Sequence, residues 1–350
     1  MKSLKNYVKG YINESYLNES VWDINESVWD IEDNVEDDNK EFILNEIKKF
    51  IEDNYVGINI DHCEFVFDEK KDKYIISYNR RAILKYTAKQ LTNDLFEWGV
   101  VKDDFDCNEC GMKNLEGAPK EVKGNFSCGY CSNLTSLKGA PKKVGGAFDC
   151  SNCSNLESLK GAPKKVGGSF YCSQCSKLTS LEGAPKTVSG AFSCRECIEL
   201  KTLKGAPKEV GRFFVCLNCP KLESLEGAPE HVGGHFNCSV CPKLETLQGA
   251  PEIVNGHFNC SGCPKLESLE GAPKIVKEWF DCSGCSELTS LKGAPKEVKW
   301  YFYCENCTKL KSLKGAPEYV GADFYCHDCP NLHSLDGIGE VGGEIFSDLE

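Results

Sequence analysis

Twenty-two of the 23 cysteines stand in eleven Cys-x-x-Cys pairs, running from Cys107 and Cys110 to Cys326 and Cys329. Two such pairs can supply the four thiolates of a tetrahedral zinc site. Small thiols can equally be core residues, because a free cysteine behaves as a small hydrophobe. The arrangement favours packing. Zinc sites close in sets of four, whereas this series is unbroken and has an odd number of pairs. Structural zinc or a redox-responsive ladder stays open as the alternative reading, with a disulfide ladder behind it. No unit's thiol differs from the rest, which speaks against a catalytic cysteine, and the lone Cys63 reads as a buried residue.

Other chemistry is sparse. His235 and His257 are metal-ligand types, but no carboxylate is evident beside them, so no metal site is expected. No Ser-His-Asp set, paired-carboxylate cleft or phosphate loop is recognisable, and the Gly-Gly pairs read as turn residues. The chain is therefore expected to be no enzyme and to need no cofactor. A net charge of -12 argues against nucleic acid, which rewards clustered Lys and Arg through counterion release, and disfavours anionic membrane surfaces. No run approaches the roughly 20 apolar residues of a membrane span. The opening residues, Met1-Lys-Ser-Leu-Lys-Asn-Tyr-Val, lack the apolar core of a secretory signal, so thiols in a reducing compartment are expected.

The cysteines belong to a 22-residue unit, Phe-x-Cys-x-x-Cys-x-x-Leu-x-Ser-Leu-x-Gly-Ala-Pro-x-x-Val-Gly-Gly-x, whose Phe recurs eleven times between Phe105 and Phe324. Every interval is 22 except the first, which is 21, because Met112 takes the first Leu position one residue early. In the last unit Ile338-Gly339 replaces Ala-Pro, and Phe346 reads as the start of an uncompleted twelfth rung. Phe and the first Cys are two apart, so on a strand they share a face, while the residues around them face outward. Gly-Ala-Pro turns the chain, since Pro presets φ and Gly tolerates left-handed angles. Each rung adds roughly 4.8 Å, giving a rod or arc of about 50 Å. The period alone makes this a solenoid around one continuous core.

The outward positions differ along the rod. The residue before each Phe is small or polar in early rungs (Ala147, Ser169, Ala191). In rungs six to ten it becomes Phe213, His235, His257, Trp279 and Tyr301, with Val215, Tyr303 and Tyr325 in the neighbouring column. An apolar and aromatic patch confined to part of a surface marks an interaction site, and aromatics are enriched at interface cores. Aromatic side chains also suit β-strands as such, so a purely stabilising ladder is the competing reading.

At the level of the unit the chain resembles a leucine-rich repeat. That family's Leu-x-x-Leu-x-Leu-x-x-Asn/Cys-x-Leu segment maps onto Phe148-Asp-Cys150-Ser-Asn-Cys153, and the Pro-x-x-Val turn resembles the short bacterial subclass without convex-side helices. The resemblance implies a mainly β, right-handed parallel β-solenoid and a family slot in which the second Cys is bonded to neighbouring backbone. The chain departs by using Phe and Cys for Leu and by one extra residue before the next Leu.

Residues 1–38 are acidic and repetitive, with Leu17, Val21, Ile24, Val28, Ile31 and Val35 spaced four and three apart. Such a stripe suits an amphipathic arm or short coiled coil for self-association through residues 11–38. The same stretch is similar to the N-termini of tailed-bacteriophage proteins that are cut after an aliphatic-x-Glu motif. That similarity implies cleavage after Glu14, Glu19 or Glu26 and a virion cargo or structural role, and it stands level with the docking-arm reading. Residues 39–104 read as an α+β cap: a helix over 39–54 lined by Phe42, Ile43, Ile47, Phe50 and Ile51, then strands over 58–67 and 73–78. A degenerate first repeat follows, with Ala88 and Leu91 at Cys and Leu positions, closed by Trp98, Val100 and Phe105. Residues 105–350 form the solenoid. The expected function is a non-enzymatic, phage-encoded scaffold in the host cytoplasm or the virion, not secreted, that binds a protein partner through rungs six to ten.

Overall fold

The computed structural model describes residues 29–85 and 87–349, with side chains from residue 40 onward. It is a parallel β-solenoid of about 12 turns, built on two ladders of very short strands. In the first ladder Phe-x dipeptides pair in register, Phe148 with Phe126 and Phe170. In the second, x-Val dipeptides do the same, Val144 with Val122 and Val166. Each ladder has 14 strands, parallel except at the N-terminal edge. The identical 22-residue spacing fixes the register, because only a whole-unit step lays every Phe on a Phe.

The strands stop after two residues because turns follow at once. The residue before the second Cys is left-handed in every rung, as at Asn152 with φ 60°. In the Gly-Ala-Pro turn Gly139 has φ 91°, and a Cβ there would lie 2.4 Å from the Leu115 carbonyl oxygen of the preceding rung. Left-handed geometry and close approach both require glycine.

The interior is a stack of identical layers. The eleven Phe rings are fully buried and lie nearly face to face, 5.3 Å apart between Phe126 and Phe148 and 5.0 Å between Phe302 and Phe324. Burying one such ring is worth about 1.5–3 kcal/mol relative to leaving it in water. Both cysteines of each pair are buried. Cys153 Sγ donates to the Cys128 carbonyl at 3.2 Å, and Cys175 Sγ to the Cys150 carbonyl at 3.3 Å, so the second thiol of a rung ties down the backbone of the rung before it. The first thiol donates the other way, Cys172 Sγ to the Ser193 carbonyl at 3.4 Å. Met112, 1% exposed, fills the first Leu slot as its spacing predicts.

The N-terminal end is closed by a helix, α1 (Trp29–Asn54), whose Ile43, Ile47 and Ile51 are buried. It runs unbroken across residue 38, and the cleavage motifs and most of the apolar stripe lie outside the described residues. Tyr55 donates its hydroxyl to the Leu91 carbonyl at 2.7 Å and accepts from Trp98 Nε1 at 2.9 Å. Both rings pack edge-on against Phe105, covering the first layer of the Phe stack. Ala88 and Leu91 are buried as expected.

Four expectations for the ends need correction. The first cap strand is Cys63–Asp68 rather than 58–67, because Asn59 caps a single turn of 3-10 helix over Ile60–His62. Cys63 is partly exposed on that edge strand rather than buried. Val101, not Val100, pairs with Val122 and points inward. At the other end Ile345, not Phe346, sits in register with Phe324, and Phe346 falls outward opposite Tyr325. The cause is the turn Gly337-Ile-Gly-Glu-Val341, one residue shorter than Gly315-Ala-Pro-Glu-Tyr-Val320.

Candidate functional site

Rungs six to ten carry the outward aromatic residues as one connected stack. Arg212 lies over the Phe213 ring, 5.5 Å from its centroid. Phe213 then stacks on His235 at 4.7 Å, His235 on His257 at 3.7 Å, and His257 on Trp279 at 3.9 Å. Stacking arises because residues at one position on neighbouring parallel strands stand directly above one another. All four side chains are half-buried, each ring covering its neighbour's face.

The stack then changes column. Trp279 does not continue onto Tyr301, as its position suggests, but meets Tyr303 edge-on at 6.3 Å. Tyr303 stacks on Tyr325 at 4.8 Å, and Tyr325 on Phe346 at 4.7 Å. Tyr301 leans against both tyrosines, at 6.0 and 6.4 Å. Val215 is half-buried on the first ladder between Ser193 and Asn237. The neighbouring column is less free than the alternation implies. Asp149, Asn237 and Asn259 each accept the backbone N–H two residues on, bracing the turn.

Sequence reasoning missed the residues that replace the second Gly of the unit. Arg212, Glu278 and Trp300 stand there, and the signal was their departure from a position otherwise nearly always Gly. Trp300 is 51% exposed beside the stack. Glu278 supplies the carboxylate that the two histidines seemed to lack. Its Oε2 lies 3.4 Å from His235 Nδ1 and 3.7 Å from His257 Nδ1. Glu278 reaches His235 because Gly256 stands between them, where a Cβ would fall 2.2 Å from His235 Nδ1. The His257 backbone N–H also donates to His235 Nδ1 at 3.1 Å. Burial, with His235 beside it, pulls the His257 imidazole down to about 4, so that ring is neutral at pH 7.

Burial dominates the electrostatics of the cysteine ladder, except at Cys307, which the neighbouring Cys282 thiol draws below the usual thiol range. Burial pushes Cys131 up to about 11 and Cys153 to about 12, and holds Cys128 and Cys150 well above the usual thiol range. Cys131, Cys150 and Cys153 are donors to backbone carbonyls, and none of the four is a thiolate poised to attack. Among the described residues, the one grouping of three metal-ligand side chains is His235, His257 and Glu278, and no cysteine belongs to it.

A second outward feature lies in rungs two to four. Lys142, Lys143, Lys164, Lys165 and Lys186 are exposed, and none has a described carboxylate within 4 Å. Lys143 and Lys165 are directly opposed on the second ladder. Elsewhere the rungs are cross-linked by ion pairs such as Lys138 to Glu116 and Lys292 to Glu270.

The fold and stack define a cysteine-cored parallel β-solenoid with an aromatic outer column. The chain matches no protein-family model, no curated protein and no solved structure. Among the described residues, no helix is long and apolar enough to cross a membrane.

Proposed function

We propose that this protein is a non-enzymatic interaction scaffold, a leucine-rich-repeat-like solenoid that engages a protein partner through the outward face of rungs six to ten. One observation carries the reading: the aromatic stack begins at rung six and runs on towards the last turn, on a rod whose interior is the same throughout. Stacked rings are rigid and partly desolvated before binding, which lowers the entropy lost on docking. Trp279 and Trp300 are the anchors, because tryptophan is enriched among residues that dominate interface energies. The redox or zinc reading of the cysteine ladder is weaker, since its thiols are buried and most of them are spent on carbonyls.

The aliphatic-x-Glu motifs ending at Glu14, Glu19 and Glu26 support a phage origin and a host-cytoplasmic or virion setting. Mass spectrometry of the protein from particles tests it. A new N-terminus at Ser15, Ser20 or Ser27 is expected, and an intact Met1 would reject it. The binding reading is tested by isolating a partner from lysate and measuring its affinity for point variants. Trp279→Ala should weaken binding by about 2 kcal/mol or more. Replacing Ala147 or Ser169, the same position in early rungs, should leave affinity unchanged. Equal affinity for Trp279→Ala would remove the stack from the interface.

A further inference from the structure

Three Lewis-basic side chains of different rungs converge on one point of the outer face. His235 and His257 offer imidazole nitrogens and Glu278 a carboxylate oxygen, all within 4.8 Å of one another and all half-buried. The separations, 3.4 and 3.7 Å from the carboxylate to the two Nδ1 atoms, can be compared with a metal's coordination sphere. Ligands about 2.0–2.1 Å from a tetrahedral zinc ion lie about 3.3–3.4 Å from each other. Without a cation, an unprotonated Nδ1 beside a carboxylate opposes two lone pairs. His235 Nδ1 already accepts the His257 N–H, so in the neutral ring it has no proton to offer Glu278.

From this geometry we propose that His235, His257 and Glu278 form a binding site for one divalent transition metal of the borderline class, such as Zn²⁺ or Co²⁺. Two imidazoles and a carboxylate are the donor set that class prefers. Three protein ligands leave a fourth position, which the partial exposure of the site gives to water. Gly256 keeps the approach clear, since any side chain there would occupy the space of His235 Nδ1. Loading requires adjustment. The rings, now 17° from parallel, splay to aim both lone pairs at the ion, and the His257 N–H yields Nδ1 to it. The site is thus a moderate-affinity one, distinct from the cysteine ladder.

The test uses the full chain and Co²⁺, whose absorption separates nitrogen and oxygen ligands from thiolates. One Co²⁺ per chain is expected, with weak d–d bands and no intense sulfur charge-transfer band, and Zn²⁺ should displace it. Two variants install residues that other rungs already hold in these positions, so both should fold: His235→Phe copies Phe213, and Glu278→Gly copies Gly256. Each should weaken Co²⁺ binding at least about 10-fold with an unchanged unfolding midpoint, in line with the loss seen when metal-site residues are altered. No stoichiometric Co²⁺ in the unaltered protein, a thiolate band, or equal affinity in either variant would overturn the proposal.

Discussion

Rungs two to four and rungs six to ten share a backbone, a Phe stack and a cysteine ladder, yet their outer surfaces have opposite character. In rungs two to four the column before Phe is Asn125, Ala147 and Ser169, and five lysines with no described carboxylate within 4 Å lie on the second ladder or one residue before its strands. In the later rungs that column is a stack of rings, and lysines such as Lys274 are paired, here with Glu252 at 2.8 Å. The interior therefore cannot be what distinguishes the regions. Packing is satisfied once per 22 residues by the same side chains, which frees the outward positions to diverge without cost to the fold.

The largest expected effect tests whether the interior is uniform. Thiols whose pKa is raised by burial stabilise the fold fully below the unfolded value of about 9, and that contribution is lost as pH rises toward the folded values. For Cys131 and Cys153 the window runs from about 9 to about 11 or 12. Each such thiol gives up about 1.4 kcal/mol per pH unit within it. Thermal unfolding should shift sharply downward as pH rises above about 9 towards about 11, and a flat profile would mean that the thiols are not buried as described. Next in size, Phe148→Ala and Phe258→Ala should each cost about 3–5 kcal/mol, as ring deletion from a packed core does. The two values should agree within about 1 kcal/mol if the early and late cores are equivalent.

Smaller effects separate the regions. Val240 holds a left-handed φ of 56°, where the two following rungs have Gly262 and Gly284. A β-branched residue is strained there, so Val240→Gly should stabilise by about 0.5–1 kcal/mol in denaturant unfolding. Smallest of all, Lys164→Glu should stabilise by about 0.2–1 kcal/mol by relieving like charge with Lys142 and Lys186 at the same position of the neighbouring rungs, and the gain should fade in high salt. Lys274→Glu in the later region should have the opposite sign, because it breaks the pair with Glu252.

The repeat made most of the fold legible. A period of 22 held without a slip from Phe126 to Phe324 leaves one register, and Phe two before Cys leaves one buried face. The thiols' packing role was legible for the same reason. The ends were harder, because a cap and a shortened last turn escape the period. Cys63, Val101 and Ile345 were misplaced by local turn geometry that composition does not report. The site was legible only along its columns. His235 and His257 were seen to be stacked, but Glu278 reaches across two rungs past a glycine, a contact visible only once the rungs are wound. The shift of the stack from Trp279 to Tyr303 depends on rotamers, which spacing cannot give.

The central claim is that the outward columns of rungs six to ten carry recognition while the repeated interior carries the fold. It is tested most directly by giving those rungs the outward residues of the early ones, in a single variant with Phe213→Ala, His235→Ser, His257→Ala, Trp279→Ser and Tyr301→Ala. Its unfolding free energy and its affinity for the isolated partner are measured side by side with those of Phe258→Ala. Lost stacking is worth about 0.5–1.5 kcal/mol per ring pair, so removing six pairs should cost about 3–9 kcal/mol in all, spread along the stack, while partner binding disappears. A variant that loses more stability than Phe258→Ala yet binds its partner undiminished would assign the stack to structure and contradict the account.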